Sequence, residues 1–377
     1  MSDAVGTEYL FESNQQARWK DSSPLPGNLA FSDMLGRRVR LGDWKDQSIA
    51  TYSKIHGALE QKRFRDASAL ADYFVDEARV CFDLYRQWLS DLCRFMTKRG
   101  TSEAEVLAVN QRILECLDLP DGRPFIAKRC WTEFLNEIRE FHFQCGAKEK
   151  QAALVLLERF KEDWRRIHDR DVDHSYGLMN EVKVRFGEDA VEALLREVLL
   201  PLFTWRYSKF DIDKHPWDQA LETLLYVACE AMRGHLVGPR REGNFELWEE
   251  SNRWGVRFDP CGSGGRSMRG DVIEGTGPRM EPPYNYAVTE KEYDWAWNKK
   301  GVCYYCAHCC ILMEQMPIDA FGYPVRVVEP PTYPDNSQAK CTWYMYKDPT
   351  KVPAEYYQRV GRQRPADFGS RIHGGKP

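Results

Sequence analysis

Residues 303–310 contain four cysteines and one histidine within eight positions. Cys261 and Cys341 lie far from this run along the chain, so half of the twelve cysteines are found between positions 261 and 341. Thiolate and imidazole are preferred ligands of Zn²⁺, which is commonly held by a Cys-x2-Cys pair together with ligands from other segments. The pattern therefore predicts that this part of the chain folds around a bound metal.

The predicted metal ligands are four thiols from three separate segments, with one imidazole as an alternate donor. They are Cys261, Cys306, Cys309 and Cys341, with His308 as the alternate. Zinc is the predicted cofactor. An iron–sulfur cluster is the alternative, because the spacing of Cys303, Cys306 and Cys309 matches the first three ligands of a bacterial ferredoxin run, although the fourth cysteine followed by proline is missing. Thiols that serve packing or redox chemistry without a metal remain a third interpretation.

A zinc site closed by four thiolates would be structural, whereas three protein ligands would leave a position for a water that ionises near neutral pH. An open site needs a nearby group that moves protons. Asp259, His308 and Glu314 are the nearest candidates along the sequence. The sequence leaves the structural and the catalytic interpretation open.

A second set of acid and base candidates lies in residues 168–174, which read His-Asp-Arg-Asp-Val-Asp-His. Asp171 and His174 are three residues apart and would share one face of a helix. With Glu230 or His235 from another helix they would form an inward-facing acid–base or metal site. The competing interpretation is a solvated helix end with charge pairs.

A glycine-rich turn follows Cys261 and is the predicted binding site for the anionic group of a substrate. Successive glycines allow backbone N–H groups to converge on an anion, and arginines add positive charge. The residues are Gly262, Ser263, Gly264, Gly265, Arg266 and Arg269. The turn matches neither the phosphate-binding loop of nucleotide-hydrolysing enzymes nor the dinucleotide fingerprint. An ordinary glycine turn with exposed arginines is the alternative.

The chain changes character near residue 240, which predicts an α+β fold made of a mainly helical body and a smaller Cys-rich, β-containing domain. Before this point, apolar residues recur at steps of three and four, as in helices. After it, glycine and proline become frequent, and short apolar runs near 323–328 and 342–346 predict strands. The predicted divisions are an irregular arm over 1–50, a helical domain over 51–245, a Cys-rich metal-binding domain over 246–360 and a loose tail over 361–377.

Several helices are predicted within the helical body. A capping box at Ser102 and Glu105 marks one helix start. The predicted helices cover about 53–99, 102–116, 131–145, 149–168, 188–204 and 217–235. Isolated cysteines in these helices are interpreted as buried thiols.

The composition and net charge of the chain argue against several classes of function. Hydrophobic residues make up 43% of the chain and charged residues 29%, as in ordered globular proteins. The net charge of −4 argues against a nucleic-acid binder. Because no apolar run reaches the roughly 18 residues of a membrane span and no secretory signal is visible, we expect a cytoplasmic protein without a membrane partner. Clustered thiols in a reducing compartment are metal ligands or redox groups more often than disulfides.

These features lead to three hypotheses for function. The first is a zinc-dependent enzyme of hydrolase or lyase type that acts on a small anionic organic substrate. The second is a redox protein with an iron–sulfur cluster. The third is a non-enzymatic ligand-binding protein in which zinc only stabilises the smaller domain.

Overall fold

The computed structural model of the chain describes residues 25–33, 35–215, 217–334 and 340–368. Within these ranges the protein is a mixed α+β fold in which helices dominate, in agreement with the predicted class. The parts of the predicted arm and tail at 1–24 and 369–377 lie outside the described residues.

Twelve α-helices and six strands are numbered here in chain order among the described residues. The helices are α1 (Trp44–Gln47), α2 (Thr51–Glu60), α3 (Phe64–Lys98), α4 (Glu103–Leu114), α5 (Ala127–Ala147), α6 (Lys150–Phe186), α7 (Glu188–Arg206), α8 (Trp217–Gly234), α9 (Gly264–Arg269), α10 (Tyr304–Cys310), α11 (Met316–Phe321) and α12 (Ala354–Gln358). The strands are β1 (Leu29–Ser32), β2 (Arg37–Arg40), β3 (Glu246–Glu249), β4 (Arg253–Phe258), β5 (Val327–Glu329) and β6 (Cys341–Tyr346).

The long helices α3 and α6 pack against each other, with α5 and α8 beside them. The predicted helix over 53–99 is divided into α2 and α3 at Lys62, whose backbone is left-handed with a φ of 56°. The predicted capping box is confirmed, since Ser102 Oγ accepts from Glu105 N at 3.3 Å and the Glu105 carboxylate accepts from Ser102 N. This reciprocal cap satisfies two backbone donors at the start of α4.

Helix α6 continues to Phe186, far beyond the predicted end near residue 168. The charged residues 168–174 look like a solvated helix end in the sequence, but all of them are buried. Buried charges are tolerated when each has a partner. The fold supplies those partners from segments distant in sequence, so the helix crosses the interior.

Four strands form an antiparallel sheet in the order β3-β4-β6-β5. The two predicted strands of this region correspond to β5 and β6, which are displaced by a few residues from the predicted ranges. Strands β4 and β6 are paired so that Phe258 lies opposite Cys341. Because the chain leaves β4 directly towards Cys261, this register places two distant cysteines at the same end of the sheet.

Two segments predicted to be irregular contain ordered structure. Strands β1 and β2 form a hairpin within the predicted arm, and Leu29 in this hairpin is buried. In the predicted tail, Phe368 is buried and its ring lies 5.5 Å from that of Tyr323. Neither segment has a regular apolar periodicity in its sequence. Burial of a single apolar side chain in each segment orders it.

One hydrophobic cluster extends from Leu29 to Phe368 and includes buried residues of both the helical part and the Cys-rich part. The cluster therefore continues across the change in sequence character near residue 240. No helix in the described part of the chain has the length and hydrophobicity that a membrane span requires.

Candidate functional site

A cavity of about 80 Å³ lies where α10 and the glycine turn meet α3, α7, α8 and the sheet. Its wall includes Cys261, Cys306, Cys309 and Cys341, which are the four predicted metal ligands. These thiols come from three segments that are distant in sequence. The fold thus brings all four to one cavity.

Helix α10 decides which thiols of residues 303–310 face the cavity. Cys303 caps the helix, and its Sγ accepts from Cys306 N at 3.2 Å. Cys306 and Cys309 are three residues apart and lie on the cavity side, as expected for neighbours on a helix face. The Cys310 thiol donates instead to the backbone oxygen of Asp294 at 3.4 Å. Two of the four thiols in the run therefore line the cavity.

The glycine turn packs tightly around sulfur. Ser263 N donates to Cys261 Sγ at 3.4 Å. A Cβ atom added to Gly264 would lie 2.2 Å from Cys306 Sγ, and one added to Gly262 would lie 1.7 Å from the backbone oxygen of His235. The glycines are needed because the chain passes close to these atoms. The amides of the turn are directed at the Cys261 sulfur rather than at a free anion site.

Burial governs the acidity of the cavity thiols. It raises the pKa of Cys309 and of Cys341 well above the usual value, and the Cys261 sulfur adds to both shifts. The hydrogen bond with Cys303, together with burial, raises the pKa of Cys306. Burial also raises the pKa of Cys261, against hydrogen bonds from the amides of the turn. Without a cation the thiols are protonated, so a bound metal would have to displace protons.

The four thiols lie on one cavity wall without forming a preformed metal site. In the described ranges, no group of three or more His, Cys, Asp or Glu side chains is positioned to hold a single metal ion. All twelve cysteines are free thiols.

The two arginines predicted to bind the substrate have other partners. Arg266 is buried and forms ion pairs with Asp173 and Asp169 of α6. Arg269 is paired with Asp259. Carboxylates of the protein contact both guanidinium groups, and neither arginine lines the cavity.

Among the predicted proton-moving residues, His308 lines the cavity. Burial lowers the pKa of His308 to about 4, and its Nε2 is 3.4 Å from Cys309 Sγ. Glu314 is held away from the cavity by Trp297 Nε1 at 2.7 Å and Arg359 at 2.9 Å. Asp259 also lies outside the lining and is paired with Lys340 at 3.3 Å as well as with Arg269.

Asp171 and His174 are both buried in α6 but lie outside the cavity lining. Asp171 is paired with Arg86, and burial raises its pKa to about 6. His174 Nε2 is 2.8 Å from Asn110 Oδ1, and burial lowers the pKa of His174 to about 3. The helix face that they share is therefore a packed interior face, away from the thiols.

The neighbouring residues of α6 form a chain of hydrogen bonds that reaches the cavity. His168 Nδ1 is 2.9 Å from Asp169 Oδ1, and His168 Nε2 is 2.8 Å from His235 Nδ1. Although burial opposes it, Arg241, Arg266 and His168 hold the pKa of Asp169 well below its usual value. Burial lowers the pKa of both histidines.

This chain of bonds sets the tautomer of each neutral ring. The ionised Asp169 can only accept, so His168 donates from Nδ1 and accepts at Nε2. His235 must then donate from Nδ1, which leaves its Nε2 as an acceptor. His235 lines the cavity, and its Nδ1 is also 3.3 Å from the Tyr85 hydroxyl and from Ser263 Oγ. The arrangement can hold His235 as a proton acceptor.

Sequence reasoning named His235 as a possible partner but missed Asp169 in this role. It also missed Arg206 and Arg326, which line the cavity. An isolated arginine has no surrounding sequence pattern that would predict its position in a cavity. Arg326 precedes a short apolar run that enters the sheet, and this context was the one available indication that it is drawn into the interior.

Comparison with known proteins gives no relatives. No protein-family model, no curated protein and no solved structure matches the chain.

Proposed function

We propose that the cavity holds a metal cofactor bound by Cys261, Cys306, Cys309 and Cys341, and that the protein is a metal-dependent enzyme acting on a small anionic substrate. The single observation that carries the proposal is that thiols from three distant segments line one buried cavity. Buried cysteines are common as packing groups, but four on one cavity wall form a soft donor set suited to zinc or iron.

In the zinc form of this proposal, the reaction is a hydrolysis or an elimination. Three of the four thiols would hold zinc and leave one position open, where zinc would supply Lewis-acid polarisation of a substrate oxygen. His235 accepts a proton at Nε2, and Asp169 stabilises the resulting charge through His168. Arg206 and Arg326 give the cavity the positive charge that an anionic substrate needs.

An iron–sulfur cluster is the second candidate, and the presence of four cysteine thiols on one cavity wall favours it. Such clusters are also held by four cysteine thiolates. In this form the protein would transfer electrons.

The test is metal analysis by mass spectrometry combined with visible spectroscopy on anaerobically purified protein. We expect a stoichiometric metal, with zinc giving a colourless sample and iron–sulfur a brown one. Cys306→Ser and Cys341→Ser should lose it. The matched control is Cys310→Ser, because that thiol lies in the same helix but contacts Asp294. Full metal retention in both cavity variants, or no metal uptake after reconstitution with either zinc or iron and sulfide, would show the proposal to be wrong.

A further inference from the structure

Arg326 differs from the other buried arginines in what its guanidinium contacts. It is 3% exposed and lines the cavity. Its Nη1 donates to the Tyr207 hydroxyl at 3.3 Å. Its Nε and Nη2 are buried and have no hydrogen-bond partner in the structure as described. A buried cation without a carboxylate is costly, so its retention calls for an anion that is supplied from outside.

The two free donors are the pair that recognises a carboxylate side-on. Nε and Nη2 lie on the same edge of the planar guanidinium and point in parallel directions, which matches two oxygens of one carboxylate. Other buried arginines have partners for these donors within the protein: Arg241 Nε donates to the backbone oxygen of Leu236 at 2.8 Å and its Nη2 to Asp169 at 2.6 Å, and Arg279 Nε donates to Asp173 at 2.9 Å. In the described chain, no other arginine leaves both of these atoms buried without a partner.

The surroundings fix the plane of the guanidinium and leave room beside it. The Arg326 Cζ lies 5.1 Å from the centre of the Trp343 ring and 6.0 Å from that of Tyr207. Aromatic faces hold an arginine by cation–π attraction and reduce its freedom to turn away. The cavity of about 80 Å³ has room for a small anion beside Arg326, since one water needs on the order of 10–15 Å³.

A second cation strengthens the attraction for an anion. Arg206 also lines the cavity, and none of the carboxylates that the structure describes lies within salt-bridge distance of it. Burial lowers the pKa of Arg206 to about 10, so the side chain remains charged at neutral pH. The lining of the cavity therefore carries two positive charges.

We propose that Arg326 binds the carboxylate of a small organic acid side-on, within the cavity that the four thiols line. A carboxylate offers this edge two coplanar oxygens and a single negative charge, which the one charge of Arg326 balances. Phosphate can also meet an arginine in bidentate fashion and is therefore the comparison in the test. The inference rests on the proposed function only for the claim that this acid is the substrate. The binding site itself requires no metal.

The test uses acetate as the probe and inorganic phosphate as the comparison, with the full chain as purified and its metal content measured in the same sample. Isothermal titration calorimetry gives the affinity, and the ¹⁵N–¹H signal of Arg326 Nε reports direct contact. We expect acetate to shift this signal. Arg326→Met should weaken acetate binding about ten- to hundred-fold, the range for hydrogen bonds to a charged group. Arg326→Lys should weaken it too, because lysine lacks the planar pair of donors.

The matched control is Arg253→Met. Arg253 lies on β4 and packs 3.8 Å from the Tyr344 ring, but it is outside the cavity lining. Acetate affinity should be unchanged in this variant. Unaltered affinity in Arg326→Met, wild-type affinity in Arg326→Lys, or tighter binding of phosphate than of acetate would each overturn the inference. Acetate binding to a sample that takes up no metal would leave the inference intact and contradict the metal proposal alone.

Discussion

Two buried polar clusters meet at His168, and they differ in how their charges are matched. The paired cluster joins four carboxylates to five arginines: Asp169, Asp173, Asp271, Glu274, Arg165, Arg170, Arg241, Arg266 and Arg279. The cavity cluster joins four thiols and two histidines to Arg206 and Arg326. No carboxylate side chain lines the cavity among the residues that the structure describes.

This difference distinguishes two kinds of buried charge: those that stabilise the fold and those that are available to a ligand. In the paired cluster every arginine contacts a carboxylate of the same chain, which accounts for its burial. In the cavity cluster, no carboxylate of the same chain accounts in this way for the burial of the Arg326 donors or of the thiols. Polar groups that the fold leaves incomplete are the better candidates for binding.

The largest expected effect comes from breaking the paired cluster. Asp169→Ala removes the carboxylate that contacts Arg241, Arg165 and His168. We expect a loss of about 3–5 kcal/mol in the free energy of unfolding, because buried arginine charge is left without a partner. Urea denaturation measures it.

The control for this variant is Asp163→Ala, in the same helix. Asp163 is partly exposed and is paired with Arg166 at 3.5 Å. We expect a change below about 1 kcal/mol there, as for surface ion pairs. Equal effects of the two substitutions would contradict the division into two clusters.

A smaller effect is expected from pH, through His174, which lies in α6 outside both clusters. Its pKa is about 3 in the folded protein, against an ordinary value near 6.5. The unfolded chain therefore takes up the proton first, and stability falls as the pH decreases from about 6.5 towards 3. Between pH 6.5 and 4.5 this amounts to about 2–3 kcal/mol.

His174→Gln should remove this part of the pH dependence, as measured by urea midpoints across the range. Asp171 acts in the opposite direction, because its raised pKa of about 6 makes the folded protein hold its proton more tightly. The comparison of variant with wild type cancels that contribution. If the His174→Gln variant kept the full pH dependence of the urea midpoint, another group would be responsible for the loss of stability in acid.

The smallest effect on stability is expected at Arg326. Without a bound anion, Arg326→Met removes a buried charge that has no carboxylate partner within the described ranges. We expect stability to change by less than about 1 kcal/mol or to rise, because methionine fills similar space without a desolvation cost. Arg266→Met should instead lose several kcal/mol, since Asp173 and Asp169 would each lose one of the arginines that neutralise their buried charge. Similar losses at positions 266 and 326 would remove the distinction between the clusters.

Much of the fold could be predicted from local patterns. The helical body, the cap at Ser102 and the strands near 327 and 342 follow from periodicity and side-chain chemistry over short windows. The choice of four cysteines also followed from spacing, and the structure places all four on one cavity. The extension of α6 through 168–174 was not predictable, because its buried charges depend on partners such as Arg241 and Arg266.

The arginines show the same limit. Arg266 next to the glycine turn looked available to a substrate, and Arg326 carried no signal. Only packing shows that Arg266 faces Asp173 and that Arg326 faces the cavity.

The sequence by itself determined the helical character of the chain, the presence of a Cys-rich segment and the thiols that face inward from α10. The tertiary structure decided which charges are neutralised and which are left for a ligand. The physical reason is that helix periodicity and thiol spacing act over a few residues, whereas the partner of a buried charge is whichever group the fold brings within a few ångströms.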